Sequence, residues 1–151
     1  MPSRAAESAD VVVPTEPELE LMIVPPWRVN DLWPRLRPFV EKSVRRGAGR
    51  LDVEDVRRGT EEERYRLWVV MQGEDVIAVG ASQILVFPGK SVLSVFMYSG
   101  ERRAAQHLWP KVERYAREAG CAEVQIAGPR AWLRIFPDFS AAYTVFTKDV
   151  R

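Results

Sequence analysis

Cysteine and histidine are nearly missing from this chain, which holds one of each, Cys121 and His107. A lone cysteine cannot close an internal disulfide, and with a lone histidine it gives no basis for a structural zinc site, so no metal is expected. Long apolar runs are missing too. Charges or turn residues interrupt every stretch short of the roughly 18 to 20 apolar residues that span a bilayer. Nor is there an excess of one charge: 22 basic and 21 acidic side chains leave a net charge of +1. No broad field therefore directs the protein to nucleic acid or membrane, and any partner must be recognised locally. The residues after Met1, PSRAAESAD, lack the apolar core of a signal peptide, so the expectation is a cytoplasmic protein that is not secreted.

What is present is the composition of a globular protein: 151 residues, 46% hydrophobic and 28% charged. That length suits one domain able to bury about two thirds of its unfolded surface without covalent staples. Residues 1–18 carry Pro2, Pro14 and Pro17 among Ser, Ala and Glu and read as a mobile tail, although Val11, Val12 and Val13 have the character to dock. The domain is expected over residues 19–151.

Within it, Leu19 to Val24 reads as a strand stopped by Pro25 and Pro26. From Asn30 to Arg46 the spacing of Leu32, Trp33, Leu36, Phe39, Val40 and Val44 predicts an amphipathic helix, with Asn30 as N-cap and a bend or restart at Pro38. Its Arg35, Arg37, Lys42, Arg45 and Arg46 read as a solvated face rather than a nucleic-acid surface. Asp52 caps a short helix ending near Gly59. Three strands follow, Arg66 to Met71, Val76 to Phe87 and Ser91 to Tyr98, joined by turns too short for anything but antiparallel pairing. The small residues Ala78 to Ala81 mark a bend or a close backbone approach.

After Gly100 comes a helix with Ala104, Ala105, Leu108, Trp109, Val112, Tyr115, Ala116 and Ala119 on one face and Gly120 at its end, in which Pro110 predicts a kink or a late start near Trp109. Ala122 to Ala127 is a strand parallel to Ser91–Tyr98, because a helical crossover precedes it. A short helix from Arg130 to Phe136 and a last strand from Ala141 to Lys148 complete the pattern. Trp33, Trp68 and Trp109 lie on apolar faces, whereas Trp27 and Trp132 sit at element edges, where a partner could be anchored.

This order of elements is similar to that of the GNAT superfamily of acyl-CoA-dependent N-acyltransferases. The run Tyr115-Ala116-Arg117-Glu118-Ala119-Gly120-Cys121 before a strand, with Gly128-Pro129-Arg130-Ala131-Trp132 after it, resembles short GNAT-like proteins encoded by tailed phages. The resemblance implies an α/β (α+β) fold with a mixed, mostly antiparallel sheet flanked by helices. It also implies acetyl-CoA or another acyl-CoA, held between the fourth and fifth strands. In the superfamily the turn after the fourth strand resembles Q/R-x-x-G-x-G/A, whose backbone donors hold pyrophosphate. Here that turn is Ser99-Gly100-Glu101-Arg102-Arg103-Ala104-Ala105. The implied cofactor-binding residues are Met97, Tyr98, Gly100, Glu101, Arg102 and Arg103. One glycine remains, Glu101 adds a negative charge, and the two arginines either offset it or simply open an exposed helix.

The tyrosine that commonly protonates the leaving thiolate in the superfamily has no counterpart in Arg130 to Phe136. Tyr98, Tyr143 and Glu123 are the remaining candidates for proton transfer, with His107 behind them, and each also reads as a packing or surface residue. Two functions stay open: an acyl-CoA-dependent N-acyltransferase acting on an amine, or a degenerate relative of one; and a non-catalytic binding or assembly protein, phage- or prophage-encoded and associated with a virion component.

Overall fold

The computed structural model describes residues 18–47, 49–136 and 138–151. The expected tail, residues 1–18, lies outside them except for Glu18. Five strands form one sheet in sequence order: β1 (Leu19–Ile23), β2 (Arg66–Gln72), β3 (Asp75–Val86), β4 (Ser91–Gly100) and β5 (Glu123–Ile126). The first four pair antiparallel and β5 joins β4 in parallel. The meander and the parallel crossover are those expected from the connection lengths.

Helix α1 (Val29–Val44) and helix α2 (Val53–Glu61) cover one face of the sheet, where Val29, Leu36, Val40 and Val56 pack on Leu67, Val69, Val79 and Met97. Helix α3 (Arg102–Glu118) covers the other, with Ala104, Ala105, Leu108, Trp109 and Val112 against Trp68, Leu93, Val95 and Tyr98. Side chains on a strand alternate between the faces, so β2 and β4 supply both cores.

Three prolines lie inside helices, and neither the restart at Pro38 nor the late start at Pro110 occurs. α1 runs unbroken through Pro34 and Pro38, and α3 starts at Arg102 and runs through Pro110 instead of beginning late near Trp109. Each proline removes one amide donor, which leaves the carbonyls of Asn30, Pro34 and Gln106 without their i+4 partners. All of these residues are exposed. Water can take the freed carbonyls while the opposite, buried face holds the helix together. Asn30 is not the N-cap either. Arg28 precedes the helix with no side-chain cap, and the Asn30 carboxamide oxygen instead accepts from Arg57 Nη1 at 2.7 Å.

The C-terminal readings need two corrections. Residues Arg130–Arg134 form a 3-10 turn rather than a helix reaching Phe136. Five residues opened by Gly128-Pro129 do not recover the cost of nucleating an α-helix. The strand expected over Ala141–Lys148 is not formed: residues 139–151 carry no strand pairing, with Tyr143, Val145 and Phe146 exposed by 72%, 65% and 89%. Strand propensity at Tyr143, Val145 and Phe146 expresses packing on a neighbour, and here there is none.

Candidate functional site

The feature that organises the site is a change of partners along β4. From Val92 to Val95 it pairs with β3 on one side and with Glu123 to Ile126 of β5 on the other. The last link is the Ala127 amide to the Val95 carbonyl at 3.1 Å. Beyond it, among the described residues, β4 continues to Gly100 beside β3 alone. The register with β3 slips at the same place, where Ala81 faces Met97 and Ser82 faces Val95, which leaves Phe96 as an extra residue. A bulge bends and twists the strand that carries it, so β4 and β5 diverge from this point. Gly80 lies beside the slip, and a Cβ there would sit 3.4 Å from the Met97 carbonyl oxygen. The close approach expected of Ala78–Ala81 is therefore to β4.

Gly100 ends β4 and sets the start of α3. Its φ is +139°, and a Cβ would come within 2.4 Å of the Ile77 carbonyl oxygen and 2.5 Å of Ala78 Cα. Both features require glycine, and both arise from contact with β3 rather than from room for a phosphate. Next, the Glu101 amide donates to the Ile77 carbonyl at 3.1 Å, which fastens the beginning of the helix to β3. Tyr98 completes the joint: its hydroxyl donates to the Glu101 carbonyl. Burial pushes the Tyr98 hydroxyl up to about 12, the Ala105 backbone amide opposes the rise, and the Glu101 charge adds to it. Tyr98 is only 3% exposed. It is thus a neutral, buried hydroxyl bound to a helix start.

The two arginines also have partners. Arg103 donates to the Glu101 carboxylate through Nε at 2.7 Å and to Gln72 Oε1 through Nη2 at 2.6 Å. Arg103 is therefore the residue that offsets Glu101. Arg102 reaches across the diverging strands, where its Nη2 donates to the Arg134 carbonyl at 2.5 Å.

Sequence reasoning did not foresee what stands opposite Arg102. After β5 the chain turns at Gly128, where a Cβ would meet the Trp132 ring at 2.4 Å. Trp132 is buried against that backbone, so packing accounts for it. Phe136, 1% exposed, then sits among Tyr98, Trp109 and Trp132 with ring centroids 5.6, 5.4 and 6.0 Å away. Phe139 stacks edge-on against Trp109 at 4.7 Å. The 132, 136, 139 spacing of aromatics after a Gly-Pro turn was the only available signal, and it does not say which surface they meet.

The structure brings Met97, Tyr98, Gly100, Glu101, Arg102 and Arg103 to one end of β4, with the Met97 side chain on the α1–α2 face. Glu123 lies at the other end, opposite Val92, in an ion pair with Lys90. Tyr143 is in the exposed segment. His107 lies within α3 and its Nε2 is buried without a hydrogen-bond partner. No proton-transfer pair is assembled from these residues. Among the described residues there is also no cluster of three or more His, Cys, Asp or Glu side chains suited to a metal, and no helix long and apolar enough to cross a membrane.

No family model matches the sequence, and no curated protein matches it. Solved structures do match. The chain is similar to the aminoglycoside N-acetyltransferase AAC(6')-Iy in complex with CoA, with a TM-score of 0.67 and 15% identity over 93% of this chain and 99% of that one. The fold is the GNAT fold. An aminoglycoside acetyltransferase from an uncultured soil metagenomic sample, in complex with sisomicin, aligns with a TM-score of 0.66 and 11% identity over 88% and 97% of the two chains. A GNAT family acetyltransferase of Staphylococcus aureus aligns at 0.59 and 10% over 87% and 98%. At these identities the likeness is one of fold, the mixed and mostly antiparallel sheet flanked by helices.

Proposed function

We propose that this chain is a GNAT-type, acyl-CoA-dependent N-acyltransferase with low turnover, acting in the cytoplasm on an amine. The observation that carries the reading is the freed edge of β4 from Phe96 to Gly100, which runs straight into the N-terminus of α3. A relative of the same fold was solved with CoA. The start of a helix favours an anion through its unpaired amides and its dipole. Arg102, exposed at that start, adds a guanidinium suited to phosphate, and Arg103 offsets the opposing charge of Glu101. Backbone at Met97 and Tyr98 positions the thioester carbonyl.

In the reaction, the amine nitrogen attacks the thioester carbonyl carbon, the C–N bond forms, the C–S bond breaks and the sulfur leaves as thiolate. The proton released by the nitrogen passes to solvent, which returns one to the thiolate. Holding the reactants together supplies most of the acceleration in such a site. Tyr98 already has its hydroxyl on Glu101, and this is why the proposed turnover is low.

The second reading is a non-catalytic GNAT-fold binding or assembly protein, phage- or prophage-encoded and virion-associated. It is favoured by the engagement of Gly100, Tyr98, Arg102 and Arg103 with other parts of the chain. Calorimetric titration with acetyl-CoA separates the two. Binding is expected, weakened by about 1 to 3 kcal/mol in the Arg102→Ala, Arg103→Ala double variant. No heat at millimolar ligand, together with co-purification of another protein from the same source, would favour the assembly reading.

A further inference from the structure

The segment after β5 folds back onto the α3 side of the sheet, at the end of β4 that β5 has left, where Phe136 meets Tyr98. Phe136 is the most enclosed part of it, fully buried between Tyr98 on β4 and Trp109 on α3. Three backbone hydrogen bonds shape the segment: the Trp132 amide to the Pro129 carbonyl, and the Ile135 and Phe136 amides to the Trp132 carbonyl, each at 2.9 Å. All three are local, within four residues. Among the described residues, the segment is tied to α3 by the hydrogen bond of Arg102 to the Arg134 carbonyl. A neutral carbonyl is a weaker acceptor for a guanidinium than a phosphate, whose charge-assisted, bidentate bonds are about twice as strong. Two open surface hollows lie elsewhere; one, about 320 Å³, is lined by residues that include Leu21, Ile23, Trp68, Lys111 and Arg114, and neither touches Met97, Tyr98 or Gly100–Arg103.

We propose that residues 128–136 are a displaceable cover over the opening between β4 and β5, latched by Arg102, and that a phosphate-bearing acyl carrier opens it by taking Arg102 from the Arg134 carbonyl and the space held by Phe136. The proposal rests on the acyl-CoA reading. In the closed state the apolar arm of the ligand has no room beside β4, because the Phe136 ring fills it. The cost of lifting Phe136 out of its aromatic surroundings is charged against affinity, so the intact protein binds more weakly than the same site left uncovered.

The test is hydrogen exchange on the full chain with coenzyme A as the probe, alongside calorimetry on the intact protein and on Phe136→Leu, with the half-exposed Leu133→Ala as a control outside the cluster. Folding of each variant is checked by circular dichroism. Expected are coenzyme A binding, exchange at the Trp132, Ile135 and Phe136 amides faster by about tenfold or more at saturation, and about tenfold tighter binding in Phe136→Leu but not in Leu133→Ala. Binding seen only in Phe136→Leu would equally support the cover. Binding to the intact protein with those three amides unchanged or slowed would overturn the cover and leave the acyl-CoA reading standing. No binding to either form would overturn both.

Discussion

Helices α2 and α3 begin in opposite ways. At α2 the cap is complete within four residues: the Asp55 amide donates to the Asp52 carboxylate at 2.8 Å, and the Asp52 amide to the Asp55 carboxylate at 2.9 Å. At α3 no side chain of the first turn caps anything, and Glu101 makes no cap bond of its own. The start is held from outside, by the Ile77 carbonyl of β3 and the Tyr98 hydroxyl of β4. A helix that caps itself can form early and locally, whereas one capped by a sheet depends on the sheet being in place. The second arrangement puts the helix start at the strand end where the site is proposed, and it commits residues to structure that a ligand would otherwise use.

Perturbing the two starts should separate them, and the largest effect belongs to α3. Gly100→Ala forces a Cβ onto the Ile77 carbonyl at positive φ. Strain and overpacking together should cost at least about 3 kcal/mol, measured by urea denaturation; a loss below 1 would mean that β3 and β4 separate easily there. Tyr98→Phe comes next, at about 1 to 3 kcal/mol, because it takes the hydroxyl from the buried Ala105 amide and one of the two donors from the Glu101 carbonyl, which keeps the Ala104 amide at 3.1 Å. The same residue gives the α3 start a pH dependence. The folded-state value near 12 lies above the ordinary tyrosine value of 10.0, so the folded protein holds this proton more tightly than the unfolded chain. Its contribution is complete below about pH 10 and is lost as pH rises through about 12. Alkaline melts of the parent should therefore fall more steeply across that window than those of Tyr98→Phe, and parallel curves would remove Tyr98 as the cause. Smallest is Asp52→Ala, which should cost about 1 kcal/mol. If it cost more than Tyr98→Phe, the contrast between the two starts would be reversed.

The contrast also explains what the sequence could reveal. Asp52 and its cap were readable because both partners lie within one turn, and the meander was readable because two short turns dictate it. The GNAT fold followed from element order. At the site, position was legible and employment was not: Gly100 looks like a phosphate glycine until Ile77 and Ala78 are seen beside it, and Arg102 looks unoccupied until Arg134 arrives from another part of the chain. The restart at Pro38 and the late start at Pro110 fail for one reason, since the sequence gives the missing amide but not the side of the helix on which the orphaned carbonyl falls. The failed strand at Ala141–Lys148 is a case of propensity without a neighbour.

The tryptophans turn the two-sided sheet into something that can be watched. Trp33 lies in the core beneath α1 and α2, Trp68, Trp109 and Trp132 lie in the core beneath α3, and Trp27 is 82% exposed. A version keeping only Trp33 and another keeping only Trp109 would report the melting of each face by its own emission. Coincident transitions would make the sheet a single cooperative unit. Separated ones would mean that the α3 face can loosen while the other keeps its shape, so that ligand entry need not threaten the fold.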